Sequence, residues 1–286
     1  MPFREFDPED MSLRDRHQLL IGGVGPRPIA LVGTLGKDGS ANLAPFSFSN
    51  AFSSNPPYVG FSPSYRGSDA STKDTLRNVL DTGEFTVSVV SYPMVQQMNL
   101  ASGEYPPDVD EFEVAGFTKL PGSQVAAPGV AESPFVMECR FHQHIELGTD
   151  RAGGNLVIGR VLLFRVQPEV LDADGRPDPR KLDLVGRLGG TWYTRATDGL
   201  FDVPGHRARS ALGFGALPEQ LLTSTVLTGN DLAKLAGLAE KPDTAPLQEQ
   251  FRKQYGQLPT EDIHRQIKQL IEEGKLTEAW LMADIL

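Results

Sequence analysis

Short segments of alternating apolar and polar residues, each followed by a turn signal, occupy most of this chain from residue 27 to residue 195. The first such segment, residues 27–35, is rich in β-prone side chains, and the Gly36-Lys37-Asp38-Gly39 sequence after it is typical of a hairpin turn. The same pattern returns at residues 41–53, 58–62, 84–91, 135–147 and 155–166. Short strands at turn-punctuated intervals predict a mainly β fold, an antiparallel barrel of Greek-key type.

Helical patterns are short in the first part of the chain and dominate its end. Residues 8–22, 71–80 and 94–102 predict short helices; Ser71 or Thr72 is expected to cap the second, and Gly83 to end it. Residues 105–134 are rich in Pro, Gly and Asp and predict a long ordered loop. Beyond about Gly205, apolar residues recur at helical spacing. We therefore expect a barrel domain over residues 20–203 and a helical extension over residues 204–286.

Charge and cysteine content restrict the partners of the chain. The formal net charge is −10 over 286 residues, and because Lys and Arg form no basic stripe, nucleic acid and anionic membranes are not expected partners. No apolar run is long enough to cross a bilayer. The single cysteine, Cys139, has no partner for an internal disulfide. These features favour the cytoplasm.

The strand at residues 47–54 is the first candidate site. Aromatic residues alternate there with small polar ones, and the rigid Asn55-Pro56-Pro57 turn follows. Small hydroxyl and amide groups beside exposed backbone can bind the polar edge of a planar ring system. A half-buried strand with a solvated face is the alternative, and composition alone favours it.

The start of the helix predicted at residues 71–80 is the second candidate. Free N–H groups and a partial positive charge at a helix N-terminus, together with Ser71, Lys73 and Thr75, can bind a phosphate without a glycine-rich loop. Taken alone, a simple capping sequence is the commoner explanation.

Other familiar chemistry has little support in the sequence. Neither a dinucleotide-binding glycine motif nor a phosphate-binding P-loop nor a serine-hydrolase motif is present. His142 and His144 have a spacing that can hold a metal, but an exposed polar strand face explains them better, and no metal is predicted. Cys139 lies on the apolar side of its strand and is expected to be an inert buried thiol.

Eight segments in order resemble the flavin-reductase-like family of split β-barrels. They are residues 27–32 (RPIALV), 42–48 (NLAPFSF), 53–57 (SSNPP), 73–78 (KDTLRN), 83–85 (GEF), 98–99 (MN), 130–134 (VAESP) and 188–195 (LGGTWYTR). Each segment is weak alone, but their order is specific, and the resemblance extends over residues 20–200.

The resemblance implies a split barrel that binds FMN noncovalently and forms a homodimer. It implies that the strand before the Pro-Pro turn lines the flavin ring and ribityl chain, here through Ser47, Phe48, Asn50, Ala51 and Ser53. It also implies a phosphate site at the next helix start and a further contact from helix 94–102, here Ser71, Lys73, Asp74, Thr75 and Asn99. Both candidate sites fall on this flavin site.

The implied activity is hydride transfer from NAD(P)H to the flavin, with Tyr193 and Arg195 as guesses for the nicotinamide or acceptor side. Shorter flavin reductases often carry Gly-Asp-His where this chain has Gly153-Gly154-Asn155, so Asn155 takes the place of a histidine near the nicotinamide. A non-enzymatic FMN electron carrier, flavoredoxin-like, therefore stays open as an alternative function. A pyridoxamine-phosphate-oxidase-like or haem-binding relative on the same barrel is a second alternative.

Overall fold

The chain divides into two compact units in a computed structural model, Met1–Phe201 and Asp202–Leu286. The structure describes residues 2–106, 108–203 and 211–286. The boundary expected near residue 204 falls on residues 204–210, which lie outside the described residues, as does Gly205.

The first unit contains strands and short helices, and the second unit is helical. In chain order the elements of the first are α1 (Leu13–Gly23), β1 (Ala30–Leu35), β2 (Ala41–Phe46), β3 (Ser49–Ser54), β4 (Pro57–Phe61), α2 (Asp74–Thr82), β5 (Glu84–Val89), α3 (Val95–Leu100), α4 (Glu111–Ala115), β6 (Lys119–Leu120), β7 (Gly129–Val130), β8 (Phe135–Glu146), β9 (Asn155–Val166), α5 (Pro179–Leu182), β10 (Val185–Arg187) and β11 (Tyr193–Arg195). Those of the second are α6 (Glu219–Leu222), α7 (Gly229–Ala236), α8 (Ala245–Tyr255), α9 (Thr260–Glu272) and α10 (Leu276–Ala283).

Seven strands form one antiparallel sheet in the order β2-β1-β5-β8-β9-β4-β3. Its two edge strands, β2 and β3, follow each other in the chain, and Phe46 and Ser49 are joined through Ser47 and Phe48 alone. The sheet must therefore curl until its edges meet at this corner, which makes a barrel that is split between β2 and β3. The predicted fold class, a mainly β split barrel of Greek-key type with C-terminal helices, is confirmed.

The prediction of one strand over residues 41–53 is wrong, because the chain turns the corner of the barrel at Ser47 and Phe48. The alternation of Phe46, Phe48 and Phe52 suggested one continuous face. The corner separates them: Phe46 is 5% exposed in the core, whereas Phe52 is 58% exposed on β3. A bulge between Ala51 and Ser53 turns the end of β3 further.

Apolar side chains of six strands and helix α2 fill the barrel. Phe46, Phe61, Phe85, Val157 and Leu76 are among the buried members of this cluster. The Phe61 and Phe85 rings meet edge to face, with their centroids 5.4 Å apart. Gly159 on β9 leaves room for Phe85, since a Cβ there would lie 2.2 Å from the Phe85 ring.

Strand β8 departs from the regular alternation that its sequence predicts. Register shifts after Glu138 and after Phe141 break the pairing with β9. Glu138, expected on the polar outer face, is instead 1% exposed and accepts hydrogen bonds from the backbone N–H groups of Ser123, Gln124 and Val125. This buried carboxylate fastens the segment before β7 to the barrel.

The segment at residues 105–134 is ordered, as expected, but the prediction that it lacks regular structure is wrong. It contains α4 and the β6–β7 pair. Asp110 caps α4 by accepting from the Phe112 N–H group, and Phe112 and Ala115 enter a second core cluster. Residue 107 lies outside the described residues.

The second unit is built by amphipathic packing of its five helices. Leu221, Leu235, Ile267 and Trp280 are fully buried in its core. Thr228 and Asp231 form a capping box at the start of α7. The helical spacing of the sequence therefore predicted this region well.

No helix within the described residues is both long and apolar enough to cross a membrane.

Candidate functional site

Arg66 organises the chain between strand β4 and helix α2. Its guanidinium donates to the Ser71 hydroxyl at 3.3 Å, to the Thr72 carbonyl at 2.9 Å and to the Asp74 carboxylate at 2.9 Å. Its backbone N–H donates to the Ser71 carbonyl. The segment that leads into α2 is thus wrapped around one arginine.

Asp74 lies at the start of α2 between two arginines. Its carboxylate pairs with Arg66 and with Arg77. Burial raises the pKa of Asp74, but hydrogen bonds from Arg77 and Arg66 outweigh that effect and lower it below its usual range. Asp74, predicted as a cofactor contact, therefore fixes Arg66 at the helix start.

The N-cap position of helix α2 lies one or two residues after the cap residues that the sequence predicts. The N-cap residue is Lys73, and no side-chain hydrogen bond from the described residues caps the helix start. The expectation that Ser71 or Thr72 caps the helix is wrong, because the Ser71 hydroxyl is held by Arg66. The N-terminus of α2 is left open to an acceptor from outside the helix.

Lys73 is half-buried and, within the described residues, has no ion-pair partner. Its Nζ atom lies 5.5 Å from the centre of the Phe46 ring. Burial lowers the pKa of Lys73, and the nearby Arg66 charge lowers it further, while Glu104 raises it. A cation that is partly desolvated beside a second cation favours a bound anion.

A small cavity of about 100 Å³ opens at this point. Arg66, Lys73 and Thr75 line it on one side, and Ser102 and Gly103 on the other. Thr75 is 1% exposed, and its hydroxyl accepts from the Asn42 amide at 3.0 Å. The cavity has the size and the donors for a phosphate group.

Three carboxylates also line this cavity, and one of them, Asp74, is paired with Arg66 and Arg77. Glu111 accepts from the Leu43 N–H group at 3.0 Å, and burial raises its pKa. Glu104 is exposed on the rim. The cavity lining therefore holds two cations, Arg66 and Lys73, together with carboxylates.

Ser47 and Phe48, at the barrel corner, lie against Arg27. The Arg27 Nε group lies 3.5 Å from the Ser47 hydroxyl, and the guanidinium lies 5.7 Å from the centre of the Phe48 ring. Arg27 also donates to the carbonyls of Ile21 and Leu188, which join α1 to the segment before β11. This arginine, which is 5% exposed, is not among the residues that the sequence predicts as site residues.

Strand β3 presents a free edge. It pairs with β4 alone, and Asn50, Ala51 and Ser53 are all exposed on it. The backbone N–H and C=O groups on its other side have no strand partner in the described part of the chain. Ser49, Asn50 and Ala51 line an apolar cavity of about 260 Å³ together with Ile29 and Val89.

Asn99, Tyr193 and Arg195 lie together in a different cavity, of about 510 Å³. Tyr193 and Arg195 also line an adjoining cavity of about 750 Å³, which shares Ile29 and Val89 with the cavity beside β3. Apart from those at the barrel corner and on β3, the predicted residues thus form two groups, one around Lys73 and one around Tyr193. Helix α3 and the residues after it connect them, since Asn99 lines one cavity and Ala101 the other.

Asn155 lies in neither group. It is 0% exposed, its amide N–H group donates to the Pro63 carbonyl at 3.3 Å, and its Oδ1 atom lies 2.9 Å from His144 Nε2. Its side chain therefore joins β9 to β8 and to the end of β4. Its surroundings do not support the predicted contact with a nicotinamide.

Arg66 and Arg27 are the main residues that the sequence analysis missed. Nothing in their spacing distinguishes them from surface arginines. The one available signal was their position, since Arg27 opens the RPIALV segment and Arg66 lies between β4 and the KDTLRN segment.

Comparisons with known proteins agree with this geometry. Residues 23–182 match the family model described as flavin reductase like domain. An uncharacterised protein of Deinococcus radiodurans is 40% identical over 205 residues, which are 69% of this chain and 88% of that protein.

Solved structures match over the same region. Nitrilotriacetate monooxygenase component B from Bacillus cereus is 31% identical with a TM-score of 0.67, and the match covers 71% of this chain and 100% of that one. The flavoredoxin of Desulfovibrio vulgaris (Miyazaki F) is 28% identical with a TM-score of 0.56, covering 65% and 94% of the two chains. The chain belongs to the flavin-reductase-like family.

Proposed function

We propose that this protein binds FMN noncovalently and catalyses hydride transfer from NADH or NADPH to that flavin. The observation that carries the proposal is the uncapped N-terminus of α2 beside Lys73. Lys73 is a half-buried cation without an ion-pair partner in the described residues, and it lines a cavity of the size of a phosphate group. FMN has one terminal phosphate, which such a site suits.

The fit of the cofactor rests on this chain's own donors. Lys73, Arg66 and the first N–H groups of α2 would hold the phosphate, with the Ser71 and Thr75 hydroxyls beside it. The free edge of β3, with Asn50 and Ser53, would bind the polar edge of the ring, and Phe48 would supply apolar surface. When bound, the flavin supplies the two-electron acceptor, so no protein acid or base is assigned a catalytic role.

The protein's part in the reaction is to position and to shield. Arg66 is held by Asp74, and Arg27 is held by three backbone carbonyls, so neither cation has to reorganise when a ligand binds. The apolar lining from Ile29 and Val89 keeps water away from one side of the β3 cavity.

We also propose that the protein is a homodimer. Strand β3 ends the sheet. Two large apolar side chains are exposed on the sheet, Phe52 on β3 at 58% and Phe164 on β9 at 50%. A second subunit that covers such positions would remove apolar surface from water and enclose the flavin site. Sedimentation at micromolar concentration is expected to show a dimer, and only monomer would contradict it.

A second candidate function is FMN-dependent electron transfer without a nicotinamide site. It is favoured by Asn155, which stands where shorter relatives often carry histidine and which is buried in barrel contacts. A turnover assay with NADH and NADPH separates the two candidates.

Identification of the cofactor tests the proposal first. Acid precipitation of the purified protein is expected to release a flavin that chromatography identifies as FMN and not FAD or riboflavin. A colourless protein that does not take up added FMN would refute the proposal.

A further inference from the structure

Two arginines of the β10–β11 pair are stacked on tyrosine rings, but only one of them is neutralised. Arg195 lies 4.1 Å from the centre of the Tyr92 ring and donates to both carboxylate oxygens of Asp183, at 2.8 and 2.7 Å. Arg187 lies 4.5 Å from the centre of the Tyr193 ring. Its guanidinium has neither a carboxylate nor any other hydrogen-bond acceptor in the part of the chain that the structure describes.

The Arg187 guanidinium is held against a ring, but its N–H groups have no hydrogen-bond acceptor among the described residues. Contact with the Tyr193 ring restricts its movement, and the side chain is half-buried. Its five N–H donors are therefore available in a fixed arrangement, which suits two oxygen atoms of one phosphate or carboxylate. Arg187 also acts on its neighbour: burial lowers the pKa of Arg27, and the charge of Arg187 lowers it further.

The cavity beside Arg187 is large enough for a ligand and mostly neutral. It measures about 510 Å³, and its polar lining includes Gln96, Asn99, Thr191 and Thr194. Asp198 is the one carboxylate among its lining residues, and it is exposed. With Arg195 paired to Asp183, the unpaired charge that the lining offers to an anion comes from Arg187.

This cavity is separate from the one that suits the FMN phosphate. The two share no lining residue. The Arg187 cavity instead adjoins the 750 Å³ cavity through Val185, Tyr193 and Thr194, and that cavity reaches Pro28 and Ile29 beside β3. A ligand held at Arg187 could thus extend toward the proposed flavin ring.

We propose that Arg187 binds a phosphate group of the pyridine nucleotide that reduces the flavin. The assignment rests on the proposed function, since it is the nucleotide's reactive end that must reach the β3 cavity. The tyrosine faces nearest this arginine pair are covered by guanidinium groups, so this end of the cavity suits phosphate oxygens and not a stacked base. The diphosphate, present in NADH and NADPH, and the 2′-phosphate, present in NADPH alone, offer the same chemistry.

Direct binding tests the assignment without relying on turnover. We would titrate the FMN-loaded protein with NAD⁺ and with NADP⁺ by calorimetry, in the wild type, Arg187→Gln and Arg187→Lys. Loss of a charge-assisted contact predicts a dissociation constant about 10- to 100-fold higher in Arg187→Gln. Arg187→Lys should fall between, because lysine keeps the charge but loses the planar fork. An equal loss for both nucleotides identifies the diphosphate, and a loss for NADP⁺ alone identifies the 2′-phosphate.

Arg176→Gln is the matched control, since Arg176 is an arginine of the same unit whose side chain is 77% exposed on a turn. Arg176→Gln changes the net charge by the same amount and should leave the affinities for NAD⁺ and NADP⁺ unchanged. The affinity for FMN should be the same in all variants. Unchanged nucleotide affinity in Arg187→Gln, an equal loss of FMN affinity, or a wild type that binds neither nucleotide would overturn the assignment. If nucleotides bind through Arg187 but do not reduce the flavin, the proposed reductase function fails and the Arg187 site stands.

Discussion

The two units of this chain differ in how completely their buried polar atoms are paired. In the barrel unit, Glu138, Asn155 and Thr75 are almost fully buried and each has hydrogen-bond partners. In the helical unit, the buried His264 Nε2 and Trp280 Nε1 atoms have none among the described residues. Polar networks thus fix the segments around the barrel's cavities, whereas the helical unit combines a few polar contacts, such as that of Ser224 with His264 Nδ1, with an apolar core. We therefore expect ligand binding to depend on the first unit alone.

Truncation in the helical core gives the largest expected effect. Ile267 is 0% exposed, and Ile267→Ala should cost about 2–5 kcal/mol of the helical unit's stability. Hydrogen exchange on the whole protein, resolved by mass spectrometry, should show lost protection at residues 211–286 with unchanged FMN affinity. Loss of FMN affinity in this variant would contradict the division of roles.

Substitution of the buried Glu138 should destabilise the barrel unit, as that of Ile267 should destabilise the helical unit. Glu138→Gln replaces a carboxylate that accepts three backbone N–H groups and pairs with Arg165, and we expect a loss of about 3 kcal/mol. Exchange should rise in residues 121–130 and in β8. Glu132→Gln is a milder control, because that exposed carboxylate accepts only from the Thr118 N–H group.

The pH dependence of this contact has a definite sign. Burial raises the pKa of Glu138, but the backbone donors and Arg165 outweigh it, so the folded-state pKa lies below the ordinary value of 4.5. Its contribution is complete above that ordinary value and is lost as the pH falls through the lower folded-state pKa. Denaturant midpoints measured from pH 7 to pH 3 should drop less in Glu138→Gln than in the wild type.

Lys73→Ala should weaken FMN binding by about ten- to a hundredfold, because a charge-assisted hydrogen bond contributes roughly 1.5–3 kcal/mol. Riboflavin, which has no phosphate, should bind the variant and the wild type alike. Lys37→Ala is the control, since Lys37 forms an exposed ion pair with Asp81. If riboflavin affinity falls as far as FMN affinity, Lys73 is not a phosphate ligand.

The smallest expected effect is the response of the helical unit to mild acid. His264 is 5% exposed, and burial lowers its pKa below the ordinary value of 6.5. Because the unfolded chain then takes up the proton first, stability is lost as the pH falls below that ordinary value. Between pH 7 and pH 5, the protection of residues 211–286, measured relative to the exchange rate of the unfolded chain at each pH, should fall. His264→Gln should remove that fall. An equal loss of protection in the barrel strands would contradict the prediction.

Periodicity and turn chemistry predicted most of the fold. The hairpin at residues 36–39, the left-handed glycine that ends α2 (Gly83, φ 75°) and the long β8 and β9 strands all follow from local sequence. The corner at Ser47 does not, because the alternation of aromatic residues continues through it while the barrel geometry changes their surroundings. The bulges of β8 were hidden for the same reason, and with them the burial of Glu138.

The site was predictable where a helix start carries the chemistry. Lys73 and Thr75 line the expected cavity because their positions at the N-terminus of α2 are set locally. Arg66, Arg27 and Arg187 were missed because their roles depend on which carbonyls, carboxylates or rings the tertiary fold brings to them. The nicotinamide contact of Asn155 stays a prediction, and in the structure His144 and the Pro63 carbonyl occupy its amide.

The most direct test of the central claim is the absorption spectrum of the purified protein before and after NADH or NADPH is added without oxygen. We predict the visible bands of bound FMN at the start and their bleaching by at least one nucleotide. A flavin spectrum that dithionite bleaches and neither nucleotide changes would contradict the reductase function and leave the electron carrier. A protein that shows no flavin bands, even after incubation with FMN, would contradict the account as a whole.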